Sequence, residues 1–192
     1  MAQRLLVVAH APTSTTKASV FGDPGELVRW EEFRRLSERI ASWVSGPEKV
    51  CQATALRLEG PAEVIHDLRD CDFGAWRGKA LAEVASQDPS GLDAWLHDPH
   101  AAPHGGESLA VLIKRVGRVV DDQQWPDGRS VAVVTPLVAR ALLVHALGAP
   151  PGVVFRIDIA PLGRALISRS HQMWRLTSLE PAKDSPRADG LG

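Results

Sequence analysis

Long apolar runs are missing from this 192-residue chain. No stretch approaches the roughly 18 residues that a membrane-spanning helix needs, so no membrane partner is expected. The N-terminal run from Leu5 to Ala9 is too short for the core of a secretory signal. Neither sign of charge dominates: 22 Lys and Arg stand against 23 Asp and Glu, a net charge of -1. Nothing advertises a nucleic-acid partner, although a balanced total still leaves room for local basic pockets. Cysteine is scarce, with only Cys51 and Cys71. A chain of this length buries a full core without a covalent staple, so the expectation is two reduced thiols in a cytoplasmic protein.

What is present is ordinary globular composition, 44% hydrophobic and 23% charged, with no internal repeat. One domain is expected over residues 1–179, followed by a disordered tail over 180–192 rich in Pro, Lys, Asp and Gly. Leu5 to Ala9 and Ser130 to Thr135 are continuous β-prone runs, the pattern of strands buried on both faces. Residues 14–25 read as a loop. Trp30, Phe33, Leu36, Ile40 and Val44 mark one stripe of a helix over 26–45, ended by Gly46-Pro47. Lys49 to Ala53 reads as a short strand, 54–60 as a turn or short helix, and Glu63 to His66 as another short strand. An insertion-like region over 68–106 carries helical patches near 79–86 and 90–97. Leu109, Leu112, Ile113, Val116 and Val120 share one face of a helix over 107–120. Leu137 to Leu147 reads as a helix stopped by Gly148-Ala149-Pro150-Pro151. Phe155 to Ile159, Ala165 to Ser170 and Met173 to Leu176 read as closing strands. Two buried strands, each leading towards a helix and far apart in sequence, imply an α/β fold with a parallel sheet. Ligands then sit at the carboxyl ends of the strands, where His10 and Thr135 fall.

Several residues admit a plain reading beside a chemical one. His10 alone is an ordinary histidine after a strand. Thr135 before Pro136 suits a helix cap. Glu107 opens a helix and complements its dipole. Asp70 suits a turn. His145 suits packing, and Trp76 and Trp95 suit core or lid packing. His97, His100 and His104 invite a metal reading, but Pro99 and Pro103 break the helix that would align them, and no cysteine or HExxH pattern accompanies them. No metal and no cofactor is expected.

Five segments fall in one order: Val7-Val8-Ala9-His10-Ala11-Pro12-Thr13, Ala53-Thr54-Ala55-Leu56-Arg57, Leu68 to Gly78, Gly105-Gly106-Glu107-Ser108, and Val133 to Arg140. Over residues 4–176 this order resembles the histidine phosphatase superfamily, also called phosphoglycerate-mutase-like. The resemblance implies a three-layer α/β/α sandwich with a mostly parallel sheet. It implies a nucleophilic histidine in an Arg-His-Gly pattern and a phosphate-binding arginine in a Ser-Pro-x-x-Arg pattern. It also implies an acid two positions after a leucine ahead of Gly-x-Trp-x-Gly, and a second histidine ending the late strand. An imidazole attacks phosphorus, cationic and hydrogen-bonding groups hold the phosphoryl charge, and a carboxyl protonates the leaving oxygen.

By that resemblance His10 is the nucleophile and Asp70 the acid, while Arg57, Thr135, His104 and Glu107 contact phosphate. The chain departs from the pattern elsewhere. Ala9 stands for the arginine, Ala11 for the glycine, Asp70 for the more usual glutamate, and Thr135 where the second histidine belongs. The implied function is a phosphoesterase-like protein acting on a small phosphorylated metabolite, with weak or altered activity. The alternative is a non-catalytic member of the same fold binding a phosphorylated or carboxylated ligand or a partner protein. A third option is a pocket turned to other chemistry with His10 and Asp70 as base and acid. Oligomeric state is left open.

Overall fold

A computed structural model describes residues 3–22, 25–28, 39–171 and 173–181. Its centre is a six-stranded sheet in the order β3-β2-β4-β1-β5-β6. The strands are β1 (Gln3–Ala9), β2 (Ile40–Ser45), β3 (Glu63–Val64), β4 (Gly128–Val134), β5 (Arg164–Ser170) and β6 (Met173–Glu180). The first four run parallel, and β5 and β6 close the sheet as an antiparallel hairpin beside β1.

Alternation along the central strands divides the core in two. Leu5, Val7, Ala9, Val44, Ala132 and Val134 face one apolar cluster, which is roofed by α4 (Leu109–Asp122) and α5 (Pro136–Ala146). Leu6, Val8, Val131 and Val133 face the other, covered by Val50, Cys51 and Ala55 of α1 (Lys49–Arg57). Strands covered on both faces are continuously apolar, which is why β1 and β4 stand out in the sequence. The result is the expected three-layer sandwich. The short helices α2 (Leu81–Gln87) and α3 (Pro89–His97) lie in the insertion-like region. No helix of the described residues is long and apolar enough to cross a membrane.

Three expectations are corrected. Ile40 to Ser45 is a strand, not the end of a helix. Ile40 and Val44 are four residues apart, a spacing that shares a face in a helix and in a strand alike, and pairing with β4 decides for the strand. Trp30, Phe33 and Leu36, and the tail from residue 182, lie outside the described residues. Lys49 to Ala53 belongs to α1, not to a strand. Val50, Cys51, Thr54 and Ala55 are its buried stripe, and the chain needs a crossover to bring β3 parallel to β2. Phe155 to Ile159 forms no strand; a 3-10 helix spans Pro151–Arg156. Pro150 and Pro151 fix φ and remove donors there, and β5 already occupies the free edge of β1.

Candidate functional site

Register alone brings the first two residues together. Ala9 of β1 is paired with Val134 of β4, so His10 and Thr135 leave the sheet side by side at its carboxyl edge. The His10 amide donates to the Val134 carbonyl at 2.9 Å. Ser45 of β2 is paired with Val133, so the turn Gly46-Pro47-Glu48 emerges at the same edge.

His10 is 5% exposed, and its Nδ1 lies 2.8 Å from the Ala11 carbonyl oxygen. A carbonyl only accepts, so this contact assigns the proton to Nδ1 and leaves the lone pair on Nε2. Burial lowers the imidazole pKa below 6.5, against the opposing pull of the Ala11 carbonyl and of the Glu48 charge. The backbone around His10 is held on both sides. The Ala11 amide donates to Thr54 Oγ1 at 3.1 Å, and the Leu162 amide reaches the carbonyls of Ala9 and His10 at 3.1 and 3.2 Å. Leu162 takes φ +62 to do so, a strained conformation for a leucine.

Asp70 meets Thr135 directly. The Thr135 hydroxyl donates to Asp70 Oδ1 at 2.8 Å, and the Cys71 amide donates to the same oxygen at 2.9 Å. Burial pushes the Asp70 carboxyl up to about 6, helped by the charge of Glu48; the Thr135 and Cys71 hydrogen bonds and Arg77 pull the other way. Thr135 Oγ1 also accepts from the Val138 amide at 3.4 Å, so one hydroxyl caps α5 and binds Asp70.

The loop carrying Asp70 is clamped twice. From below, Glu48 Oε1 accepts from the Asp70 amide at 2.7 Å. From above, Arg115 spends its five donors on Glu107 and the loop. Nε and Nη2 reach the two carboxylate oxygens of Glu107 at 2.8 and 2.6 Å. Nη1 reaches the carbonyls of Asp67 and Arg69 at 2.8 and 3.1 Å, and Nη2 that of Asp70 at 3.2 Å. The segments around Asp72 and Gly106 zip together beside it: Glu107 N donates to the Asp72 carbonyl at 2.7 Å and Ala75 N to that of His104 at 2.9 Å. A Cβ on Gly106 would fall 2.0 Å from the Asp72 oxygen, which requires glycine there.

Of the residues expected at the phosphate, the structure brings Thr135 to Asp70 and His10 but not the other three. Glu107 is committed to Arg115 as a buried ion pair. His104 is 3% exposed, its Nδ1 accepts from Gly106 N at 3.1 Å, and its ring lies 4.9 Å from Trp76 in a cluster with Phe73 and Trp95. Its burial lowers its pKa. Arg57 is exposed in the last turn of α1, the turn furthest from Glu48. The first turn of that helix lies next to Glu48, and there Val50, three residues after Pro47, is 6% exposed and apolar. Glu48 is the residue beside His10 and Asp70 that the sequence did not single out. Pro47, next to it, was the available signal.

A family model described as histidine phosphatase superfamily (branch 1) matches residues 30–181. A protein of Mycobacterium tuberculosis named as bifunctional is 34% identical over 184 residues, covering 84% of this chain and 50% of its own length. The chain thus spans about half the length of the curated relatives it matches. Among solved structures, a mycobacterial glucosyl-3-phosphoglycerate phosphatase superposes with TM-score 0.76 at 21% identity, over 95% of this chain and 100% of that one. An alpha-ribazole phosphatase from Shigella flexneri superposes with TM-score 0.76 at 18% identity, over 92% and 96%. At these identities the superpositions speak for the fold.

Proposed function

The chain belongs to the histidine phosphatase superfamily, branch 1, and on that premise we propose that it is a phosphoesterase-like domain of weak or altered activity on a small phosphorylated metabolite. The superposed enzymes, named a glucosyl-3-phosphoglycerate phosphatase and an alpha-ribazole phosphatase, support this substrate class. His10 Nε2 is the nucleophile: it bonds to phosphorus as the ester P–O bond breaks. The protonated fraction of Asp70 gives its proton to the leaving oxygen, and Asp70 then takes a proton from the water that releases phosphate from His10. The Thr135 and Cys71 hydrogen bonds both fall on Asp70 Oδ1, and Oδ2 is the oxygen assigned to that proton. A carboxyl with a pKa of about 6 is poised to act in both directions near neutrality.

One observation carries the qualification. The two positions where arginines would hold the phosphoryl oxygens are Ala9 and Val50, both buried and apolar. Each missing charge-stabilising group costs about 10²–10³ in rate, with losses that do not simply multiply. Glu48, a carboxylate in the same turn as Val50, favours the second reading, a member of the fold that binds a ligand without turning it over. Incubation with a panel of phosphorylated metabolites tests the proposal, with His10→Ala as control. Slow, His10-dependent phosphate release supports the phosphoesterase reading. Release that survives His10→Ala rejects it, and no release from any substrate leaves the binding reading.

A further inference from the structure

We infer that Glu48 is a specificity-determining residue: a carboxylate, set in the turn between β2 and α1, that weakens the hold of the His10 pocket on a phosphate dianion. This rests on the site proposed around His10 and Asp70, and three observations carry it. The Asp70 amide is a donor at the sheet edge able to hold an oxyanion, and Glu48 Oε1 already takes it at 2.7 Å. Glu48 is also the N-cap residue of α1, where its side chain makes no capping hydrogen bond but places a negative charge at the helix end that attracts anions. Finally, the Glu48 charge acts on His10, Asp70 and Cys51 together, making each hold its proton more tightly.

The carboxylate is built in rather than incidental. A Cβ on Gly46 would come within 2.5 Å of Glu48 Oε2 and 2.9 Å of the Leu68 carbonyl oxygen, so the turn keeps room for this side chain. A phosphate dianion entering beside His10 meets Glu48 and Asp70 at the edge where Val50 offers no cation. Arg77 acts on Asp70, but its Nη1 is bound to the Gly22 carbonyl at 3.1 Å and its side chain is 58% exposed. Discrimination by a built-in repulsive charge needs no new contact to the favoured ligand.

Titration of inorganic phosphate into the wild type, Glu48→Gln and Glu48→Lys tests this, with the ¹⁵N shift of His10 Nε2 as the readout and thermal melting as a check of folding. Glu48→Gln keeps an oxygen for the Asp70 amide and removes only the charge. Phosphate affinity is expected to rise stepwise from Glu to Gln to Lys, by at least about tenfold at the first step. A flat series, at any affinity or with no binding throughout, overturns the inference. Fast hydrolysis by the wild type would instead overturn the proposed weak activity and leave the phosphate series readable, so the two failures are distinguishable.

Discussion

The Thr135 hydroxyl donates to Asp70 Oδ1 at 2.8 Å, tying the end of the late strand to the loop that carries Asp70. The same oxygen of Thr135 caps α5. Thr135→Val removes both bonds. The expected cost is about 1–2 kcal/mol of stability, and the Asp70 pKa rises further above about 6, because the Thr135 bond lowers it. Thr135→Ser retains the hydroxyl and restores both. A ¹³C carboxyl titration reads the pKa; a midpoint unmoved in Thr135→Val contradicts the account.

Asp70 itself destabilises the fold when ionised. Its folded pKa, about 6, lies above the reference 3.8, so between these values the folded state binds the extra proton and stability falls as pH rises. The gap bounds the effect at about 3 kcal/mol. Asp70→Asn is therefore expected to be more stable than the wild type at pH 8 and no more stable at pH 3.5. Urea unfolding at both values checks this. A difference independent of pH would show that the carboxyl is not perturbed.

Arg115 and Glu107 form the buried pair behind the Asp70 loop, with side chains 10% and 7% exposed. Arg115→Met leaves Glu107 charged and alone, and about 3–5 kcal/mol of stability is expected to be lost. Arg115→Met with Glu107→Leu should recover most of it. Additive losses in this double-mutant cycle would mean the two side chains do not act as a unit.

His10 should titrate below pH 6.5, since burial is the largest influence on it, and its neutral form should carry the proton on Nδ1. Nitrogen chemical shifts distinguish the tautomers directly. A proton on Nε2 would remove the lone pair that the mechanism requires.

Much of this was readable in the sequence where one physical effect dominates. β1 and β4 announce themselves because both faces are buried, and α4 because its apolar stripe is regular over 14 residues. Ambiguity set in where two periods agree, as at Ile40 and Val44, and where an element is short, as at Lys49, where Val50-Cys51 reads as β-prone inside a nine-residue helix. At the site, His10 and Thr135 were nameable because each follows a strong strand, and Asp70 because it lies two positions after Leu68, ahead of Gly74-Ala75-Trp76-Arg77-Gly78, as the resemblance requires. Glu107 and His104 were misplaced because local spacing says nothing about a partner such as Arg115, or about an aromatic cluster assembled from Phe73, Trp76 and Trp95. Arg57 was named because it is the arginine nearest the expected segment, while its place in the last turn of α1 follows only from the fold.

The central claim is that an imidazole is kept at the sheet edge with Ala9 and Val50, among the described residues, standing where cations would hold a phosphoryl group. Steady-state hydrolysis of a generic aryl phosphate by the purified wild-type chain, with His10→Ala beside it, tests this most directly. The expected turnover is below about 0.1 s⁻¹, two or more orders under the enzyme median of about 10 s⁻¹. What little there is should vanish in His10→Ala. A wild-type turnover near about 10 s⁻¹ would mean that other groups hold the phosphoryl charge, and would contradict the account.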